Sequence, residues 1–257
     1  MLQHSFVNSF REHNWATSIV EFALLVLGIY LGFQLDHWNT DRLAQIEANE
    51  YSIQLLADLD RELTASKHDV AYYKQVKAFG EKALAAWDEV PQASTEALII
   101  AFYQASNILA LSSERGAYDL ISSKGLVNLI GDAEFGSELS SYYAQVLNPL
   151  LTEQPPYRWE LRGVIPNHIQ GAIRNNCASI AEEGRLAETL ASDCEIGLTE
   201  SQAQDVFESI VEHPRMRFYL RQYVSKVAVN IYIMDSQIKE ITTLYDTLES
   251  FQKTGGR

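Results

Sequence analysis

Residues 15–39, WATSIVEFALLVLGIYLGFQLDHWN, decide the architecture of this chain. No charged side chain occurs between positions 22 and 35, and the apolar character extends back past Glu21. An α-helix rises about 1.5 Å per residue, so about 20 apolar residues cross a bilayer core about 30 Å thick. Trp15 and Trp38 bracket the segment, at the depth where amphipathic rings prefer to lie. We therefore predict a membrane-spanning helix, with Glu21 in or just below the interface.

Two other interpretations of this apolar stretch are open at this point. It could be a buried helix of a soluble protein, although no other segment of the chain is as apolar. It could also be a cleaved signal peptide, but residues 33–38 offer no small-x-small cleavage site. We favour an uncleaved signal anchor. The polar segment 1–14 would then either lie on the membrane as a short amphipathic turn or be disordered.

This assignment divides the chain into three parts. Residues 1–14 are a short N-terminal segment, residues 15–38 the transmembrane helix, and residues 39–257 an extracytoplasmic α-helical domain. The length of 257 residues suits one span with one domain, or at most two small domains. A net charge of −14 and a pI near 4.8 disfavour nucleic acid and a broad anionic lipid surface as partners.

One face of the predicted span carries an acid and two glycines. At about 100° per residue, a narrow arc holds four residues, which we call the association face: Glu21, Leu25, Gly28 and Gly32. The two glycines form a G-x-x-x-G pattern, which lets two helix backbones approach closely in lipid. A carboxyl group in lipid also favours a partner helix. This face predicts a homo-oligomer or a contact with another membrane protein; alternatively, Glu21 extends to the near interface and the face meets lipid.

A sequence pattern begins in the span and continues into the domain. Within the span it consists of Glu21, Gly28, Gly32, Gln34, Trp38 and Asn39. Its later pieces are Ser122-Ser123-Lys124-Gly125-Leu126, Leu129-Ile130-Gly131-Asp132 and Ser141-Tyr142-Tyr143. In type and spacing, these residues resemble a family of bacterial single-span membrane proteins that is catalogued only as a domain of unknown function.

The resemblance implies an N-terminal span followed by a helical domain, and it implies no activity. It covers most of the chain, and the motif in the span is its most specific part. The sequence departs from the family pattern at Lys124, where a small residue is more usual, and the region from Pro155 to Thr199 matches least. The resemblance therefore supports the architecture and contributes no chemistry.

The two cysteines of the chain, Cys177 and Cys194, both follow the span. Arg11 before the span and Arg42 after it give no preference for orientation by the positive-inside rule. A cysteine pair separated by a polar loop suits an oxidising compartment, so we predict a disulfide; two unrelated thiols are the alternative. We therefore favour a bacterial inner-membrane protein with a cytoplasmic N-terminus and a periplasmic domain.

The domain is predicted to be all-α, with almost no sheet, because no stretch alternates like a strand. No proline occurs between the span and Pro91, and apolar residues recur at intervals of three and four. The span should therefore continue as one long helix to Val76 or beyond. Shorter helices are expected at 97–111 with a Ser94 or Thr95 cap, 116–123, 126–130, 132–146, 159–174 with an interruption at Pro166, 183–190 and 201–213.

The last helix has the clearest pattern in the domain. Over four heptads its apolar residues recur at intervals of four and three: Leu220, Val224, Val227, Ile231, Met234, Ile238, Ile241, Tyr245 and Leu248. Such a pattern predicts the core of a helical bundle, with an intermolecular coiled coil as the alternative.

The search for chemistry is mostly negative. The sequence contains no phosphate-binding glycine loop, no H-E-x-x-H and no C-x-x-C, so we expect no cofactor, no metal site and no catalytic residue. Asp58 and Asp60 would point about 200° apart on a helix, while Asp58 and Glu62 would share a solvated face. One candidate polar pocket consists of Arg115, Tyr118, Asp119, Tyr142 and Tyr143, although we favour a buried or rim hydrogen-bonded cluster as the explanation of these residues.

Three classes of function fit these features. The first is a non-catalytic, membrane-anchored structural or interaction module of the bacterial envelope. The second is an extracytoplasmic subunit that senses a small ligand in its bundle. The third is a subunit of an ion-conducting or transport assembly that uses Glu21. We favour the first class, because the sequence offers an anchor and a helical domain but no reactive constellation.

Overall fold

The computed structural model of the protein describes residues 15–88, 93–109, 113–145, 153–180, 188–191 and 193–254. The predicted N-terminal segment 1–14 lies outside these residues. The helices are α1 (Trp15–Asp88), α2 (Thr95–Ala105), α3 (Gly116–Ser123), a 3-10 helix (Val127–Leu129), α4 (Ala133–Ala144), α5 (Pro156–Val164), α6 (Asn167–Asn176), α7 (Glu200–Val211) and α8 (Met216–Lys253). The predicted all-α class, with a long N-terminal helix, is confirmed.

The helix α1 runs for 74 residues without a proline. At about 1.5 Å per residue, its length is about 110 Å. An 18-residue window near its N-terminus has a mean hydropathy of 1.7, and none of that window is buried. Within the described part of the chain, α1 is the one helix whose length and composition would allow it to cross a membrane. A core helix of a soluble protein would be mostly buried instead.

The helix α8 packs antiparallel along α1, and this contact is more extensive than any other between two elements. The C-terminal half of α8 joins α3 and α4 on the part of α1 nearer the span. We call this the proximal core, and its buried side chains include Ala48, Leu55, Leu59, Ile121, Phe135, Leu139, Ile241, Leu244 and Leu248. The predicted apolar pattern of α8 is thus used inside the chain, as in a bundle.

The N-terminal half of α8 lies against the far part of α1, beyond Val70. Helices α2, α5, α6 and α7 complete this second layer, which we call the distal core. Its buried side chains include Tyr72, Tyr73, Val76, Ile99, Phe102, Tyr103, Tyr157, Leu161, Ile173, Ile210, Leu220 and Val227. Each fully buried aliphatic or aromatic side chain contributes about 1.5–3 kcal/mol, so both cores hold α8 on α1.

Several predicted helix ends are confirmed by their caps, and one is wrong. Ser94 Oγ accepts the Ala97 N–H at 3.3 Å and begins α2. The Asp132 carboxylate accepts the Phe135 N–H at 2.8 Å and begins α4. However, α2 ends at Ala105, six residues before the predicted position 111. The chain leaves the helix there because Arg158 and Tyr223 bind the next two carbonyl groups.

Further along the chain, Pro166 separates α5 from α6, as predicted. The helix expected at 183–190 is wrong for its last three residues, and positions 181–187 lie outside the described residues. Residues Glu188–Leu190 form a short strand, β2, which pairs antiparallel with β1 at Ala178–Ile180. Pairing with a distant segment overrides local helix propensity here, which is common for short elements.

Two glycines in the family-like motifs adopt left-handed backbone conformations but differ in their surroundings. Gly125 has φ +70°, and no atom lies within 4 Å of a Cβ placed on it. Gly131 has φ +71°, and a Cβ there would lie 2.8 Å from Phe251 Cε2. Gly131 therefore lets the loop before α4 pass close to the end of α8.

These surroundings predict unequal effects of the same substitution. We expect Gly125→Ala to lower the free energy of unfolding by about 1–2 kcal/mol through left-handed strain alone. We expect Gly131→Ala to lower the free energy of unfolding by a similar amount and by about 1–3 kcal/mol more, because the new methyl group would be overpacked against Phe251. Urea unfolding of the full chain in a neutral detergent, followed by far-ultraviolet circular dichroism, measures both. Equal losses in the two variants would contradict the close packing at Gly131.

Candidate functional site

The most polar part of the proximal core is built on two carboxylates of α1. Asp58 and Glu62 are each only 7% exposed, so the predicted solvated face for this pair is wrong. Asp60, which points the other way on the helix, is exposed. The sequence spacing correctly places Asp58 and Glu62 on one face, but α3 and α4 cover that face.

Asp58, which lies on α1, caps the N-terminus of α3. The residue before α3, Arg115, makes no capping bond with its side chain. Instead, Asp58 Oδ2 accepts the Ala117 N–H at 2.9 Å. A negative charge at a helix N-terminus is favourable, since the helix dipole and the free N–H groups both point at it. Asp58 also pairs with Arg61 on its own helix, so both of its oxygens have partners.

Glu62 binds the segment that leads into α3. Its carboxylate accepts the Ser113 hydroxyl at 3.1 Å and the Glu114 N–H. It also accepts the Tyr142 hydroxyl of α4 at 3.0 Å. One buried acid therefore joins two separate parts of the chain to α1, and sequence reasoning missed it because the partners are far away in sequence.

The five residues of the predicted polar pocket come together beside these acids. Arg115 donates to the Tyr143 carbonyl at 2.9 Å and to Asp119 Oδ1 at 3.1 Å. The rings of Tyr118 and Tyr143 stack with centroids 4.2 Å apart, and Tyr142 meets Tyr143 edge-on at 5.0 Å. We call the whole set the acid–tyrosine cluster: Asp58, Glu62, Arg115, Tyr118, Asp119, Tyr142 and Tyr143.

The acid–tyrosine cluster has the chemistry of a structural contact. Burial raises the pKa of Tyr142 and of Tyr143 well above that of a free tyrosine, and the charge of Glu62 raises both further. Their hydroxyls are therefore protonated donors at any physiological pH and cannot act as bases. The Tyr143 hydroxyl donates to the Glu114 carbonyl at 3.2 Å, so it too is occupied. The cluster binds α3 and α4 to α1, and the hydroxyls of Tyr142 and Tyr143 are both engaged in it.

The association face of α1 has no partner among the described residues. Glu21, Leu25, Gly28 and Gly32 are all exposed, and nothing lies within 4 Å of a Cβ placed on either glycine. Gly80, by contrast, lies directly under Val224 of α8, where α1 and α8 pack tightly. The two glycines in the span therefore leave a flat, open surface.

The same face continues beyond the span. At about 100° per residue, four apolar side chains fall within the arc of about 80° that holds the association face. They are Leu35 (65% exposed), Leu43 (57%), Ile46 (44%) and Ile53 (64%). Sequence reasoning ended the face at Gly32, although the same projection carried onward would have found the rest. We call the entire surface from Glu21 to Ile53 the extended face.

The predicted cysteine pair lies at the edge of the distal core. Cys177 and Cys194 form a disulfide, with an S–S distance of 2.08 Å and Cα atoms 5.3 Å apart. Cys177 directly precedes β1, and its carbonyl accepts the Ala191 N–H at 2.9 Å. The bond thus closes the two-stranded ribbon against the end of α6.

Comparison with known proteins adds no assignment to this geometry. No family model, curated protein or solved structure matches the chain. The resemblance described for the span and the later motifs stays a prediction. Function is therefore inferred from the surfaces and clusters of this chain alone.

The role of the acid–tyrosine cluster can be tested with one chemical change at two positions. We expect Asp58→Asn to lower the free energy of unfolding by about 1–3 kcal/mol, because it removes the charge from two buried hydrogen bonds. Asp60→Asn, two residues away on the exposed side, should stay within about 0.5 kcal/mol of the wild type. Urea unfolding of the full chain in detergent measures both, and equal effects would contradict the cap.

Proposed function

We propose that this protein is a non-catalytic, membrane-anchored interaction module of the bacterial envelope, and that it self-associates through α1. One observation carries the proposal. The extended face has no partner within the described chain, although it lies on the helix around which both cores are built. The same helix would therefore anchor the domain and bring two domains together.

Different forces act on the two halves of the extended face. In lipid there is no hydrophobic drive between helices, so close packing at Gly28 and Gly32 would hold two spans together. Outside the span, Leu43, Ile46 and Ile53 would lose contact with water on pairing, at about 25 cal/mol per Å² buried. In two parallel copies, identical residues lie at the same position along the paired helices. The contact at the glycines and the contact at the apolar side chains outside the span would therefore form together.

A groove beside Ile53 enlarges the surface available for such a contact. It has a volume of about 1020 Å³ and lies between α1, the loop before α4 and the end of α8. Its walls include Asn49, Gly131 and Phe251. The groove adjoins the extended face where α1 enters the bundle, so a second copy would meet both surfaces at once.

For the location, we propose the bacterial inner membrane, with the N-terminus in the cytoplasm and the domain in the periplasm. The disulfide supports this orientation, since such bonds persist in oxidising compartments. If the domain were cytoplasmic, both thiols would be kept reduced.

We expect thiol labelling of freshly isolated native membranes to detect Cys177 and Cys194 only after reduction. The bond closes a loop with a sequence separation of 17. In the chain-entropy model, a loop of this size stabilises the domain by about 3 kcal/mol. The Cys177→Ser/Cys194→Ser variant should therefore unfold at a lower urea concentration. Free thiols before reduction would contradict the proposed orientation.

Self-association is tested by crosslinking through Asn39→Cys, which introduces a thiol on the extended face. We expect Gly28→Leu and Gly32→Leu each to weaken dimer formation about tenfold, or by about 1.4 kcal/mol, because a side chain separates the backbones. Glu21→Gln should have little effect, since hydrogen bonds between helices in membranes average well under about 1 kcal/mol.

A matched control is Ala23→Leu, which also adds a leucine to the span but lies off the extended face. It should crosslink like the parent Asn39→Cys protein. If neither glycine variant differs from this control, the face contacts lipid and the proposal is wrong. If Glu21→Gln abolishes a cellular function while crosslinking is intact, an ion-conducting or transport assembly becomes the better assignment.

A further inference from the structure

Three arginines converge in the distal core, around the C-terminus of α2. Arg162 of α5 lies over the ring of Tyr103, with its guanidinium carbon 3.4 Å from the ring centroid. Arg158, one turn earlier, donates to the Ser106 carbonyl at 2.8 Å. Arg174 of α6 donates to the Tyr103 hydroxyl at 3.2 Å. Three positive charges are thus gathered around Tyr103 and Ser106 at the C-terminal end of α2.

Among the described residues, the hydrogen-bond acceptors of these arginines are all uncharged. Arg162 donates to the Ser106 hydroxyl at 2.9 Å and to Asn107 Oδ1 at 2.7 Å. In the part of the chain that the structure describes, no ion pair joins a carboxylate to Arg158, Arg162 or Arg174. Eight of the other fourteen Lys and Arg residues in the described chain have carboxylate partners: Arg61, Lys74, Lys77, Arg115, Lys124, Arg217, Lys226 and Lys253.

The three arginines lie together without a carboxylate partner in the described chain, although acids outnumber bases in the full sequence by 34 to 20. Burial lowers the pKa of Arg162 to about 10, and the charges of Arg158 and Arg174 lower it as well. The C-terminus of α2 carries only about half a negative charge from the helix dipole. Capping that helix therefore accounts for part of the positive charge and leaves most of it uncompensated.

Free donors of the three arginines are accessible. Arg158 and Arg162 are half-buried and Arg174 is exposed. Each guanidinium has five N–H donors, of which the contacts above use one or two. Among the described residues, no nitrogen atom of Arg158 or Arg162 is both fully buried and without a partner. Trp159, 65% exposed, follows Arg158 and supplies an aromatic surface beside the charges.

We propose that Arg158, Arg162 and Arg174 form a binding site for the carboxylate or phosphate group of a small soluble ligand. Guanidinium groups bind both oxyanions with paired, charge-assisted hydrogen bonds. The Tyr103 ring and two neutral acceptors hold the guanidinium group of Arg162 in place before the ligand binds. Arg158 and Arg174 then supply further donors from two different helices.

The position of the site excludes the headgroups of the anchoring membrane as this ligand. The distal core begins at Val70 of α1, 32 residues beyond Trp38 at the end of the predicted span. At about 1.5 Å per residue, that separation is about 50 Å along the helix. The ligand must therefore come from solution. This inference is independent of self-association, because the extended face ends at Ile53.

The test uses the full-length chain in a neutral detergent, with inorganic phosphate and citrate as probes. Calorimetric titration and thermal unfolding are compared with sodium chloride at the same ionic strength. We expect at least one probe to bind saturably and to raise the unfolding temperature more than chloride does. Whichever of the two probes, phosphate or citrate, binds with the higher affinity identifies the oxyanion that the site prefers.

Variants locate the binding. Arg158→Gln and Arg174→Gln should each weaken the affinity for the preferred probe about tenfold, because each removes charged hydrogen bonds. Arg162→Lys keeps the charge but loses the planar fork, and it should weaken binding as well. Arg42→Gln makes the same charge change on the exposed part of α1, so its affinity should stay within about twofold of the wild type.

Exposed Arg174 makes one hydrogen bond, to Tyr103, so its substitution should leave circular dichroism unchanged and keep the test informative. The site is refuted if neither probe exceeds chloride, or if Arg42→Gln weakens binding as much as the other variants do. Crosslinking through Asn39→Cys should be unaffected in every arginine variant. Failure of the anion site and failure of self-association are therefore distinguishable.

Discussion

The antiparallel packing of α8 on α1 is the contact on which the rest of the structure depends. Both cores contain side chains from both helices, and the shorter helices fill the space on either side. Gly80 allows the two backbones to come close, because Val224 occupies the space where a Cβ would lie. Without this pair, α2 to α7 would have no common surface to pack on, since most of them are short and amphipathic.

The two cores hold their helices by different means. In the proximal core, buried acids of α1 accept hydrogen bonds from α3, α4 and the segment between positions 113 and 117. In the distal core, arginines from α5 and α6 donate to the end of α2. The acids are fully occupied by the chain, whereas the arginines retain free donors and excess charge. That difference separates a structural cluster from a candidate binding site.

Periodic features were predictable from the sequence, and contacts between distant segments were not. The long helix α1 with its apolar N-terminal part and the apolar pattern of α8 follow from hydropathy and helical spacing, which are local properties. The same spacing put Asp58 and Glu62 on one face but could not show that α3 and α4 would bury that face. Likewise, Arg158 of α5 and Arg174 of α6 both reach the end of α2. The sequence predicted the interruption at Pro166 between these helices but not the direction that α6 takes after it.

Because α1 is one continuous helix, the direction in which the domain lies around the helix axis is fixed relative to the extended face. Between Glu21 and Asp58 lie 37 steps of about 100°, so Asp58 points about 100° around the axis from Glu21. If two spans pair through the extended face, the sides of the two domains that meet are already determined by this phase. The number of helical residues between Asn39 and Ala48 therefore sets which surfaces of the two domains would meet in such a pair. Each residue added or removed there would turn the domain by about 100° around the axis of α1.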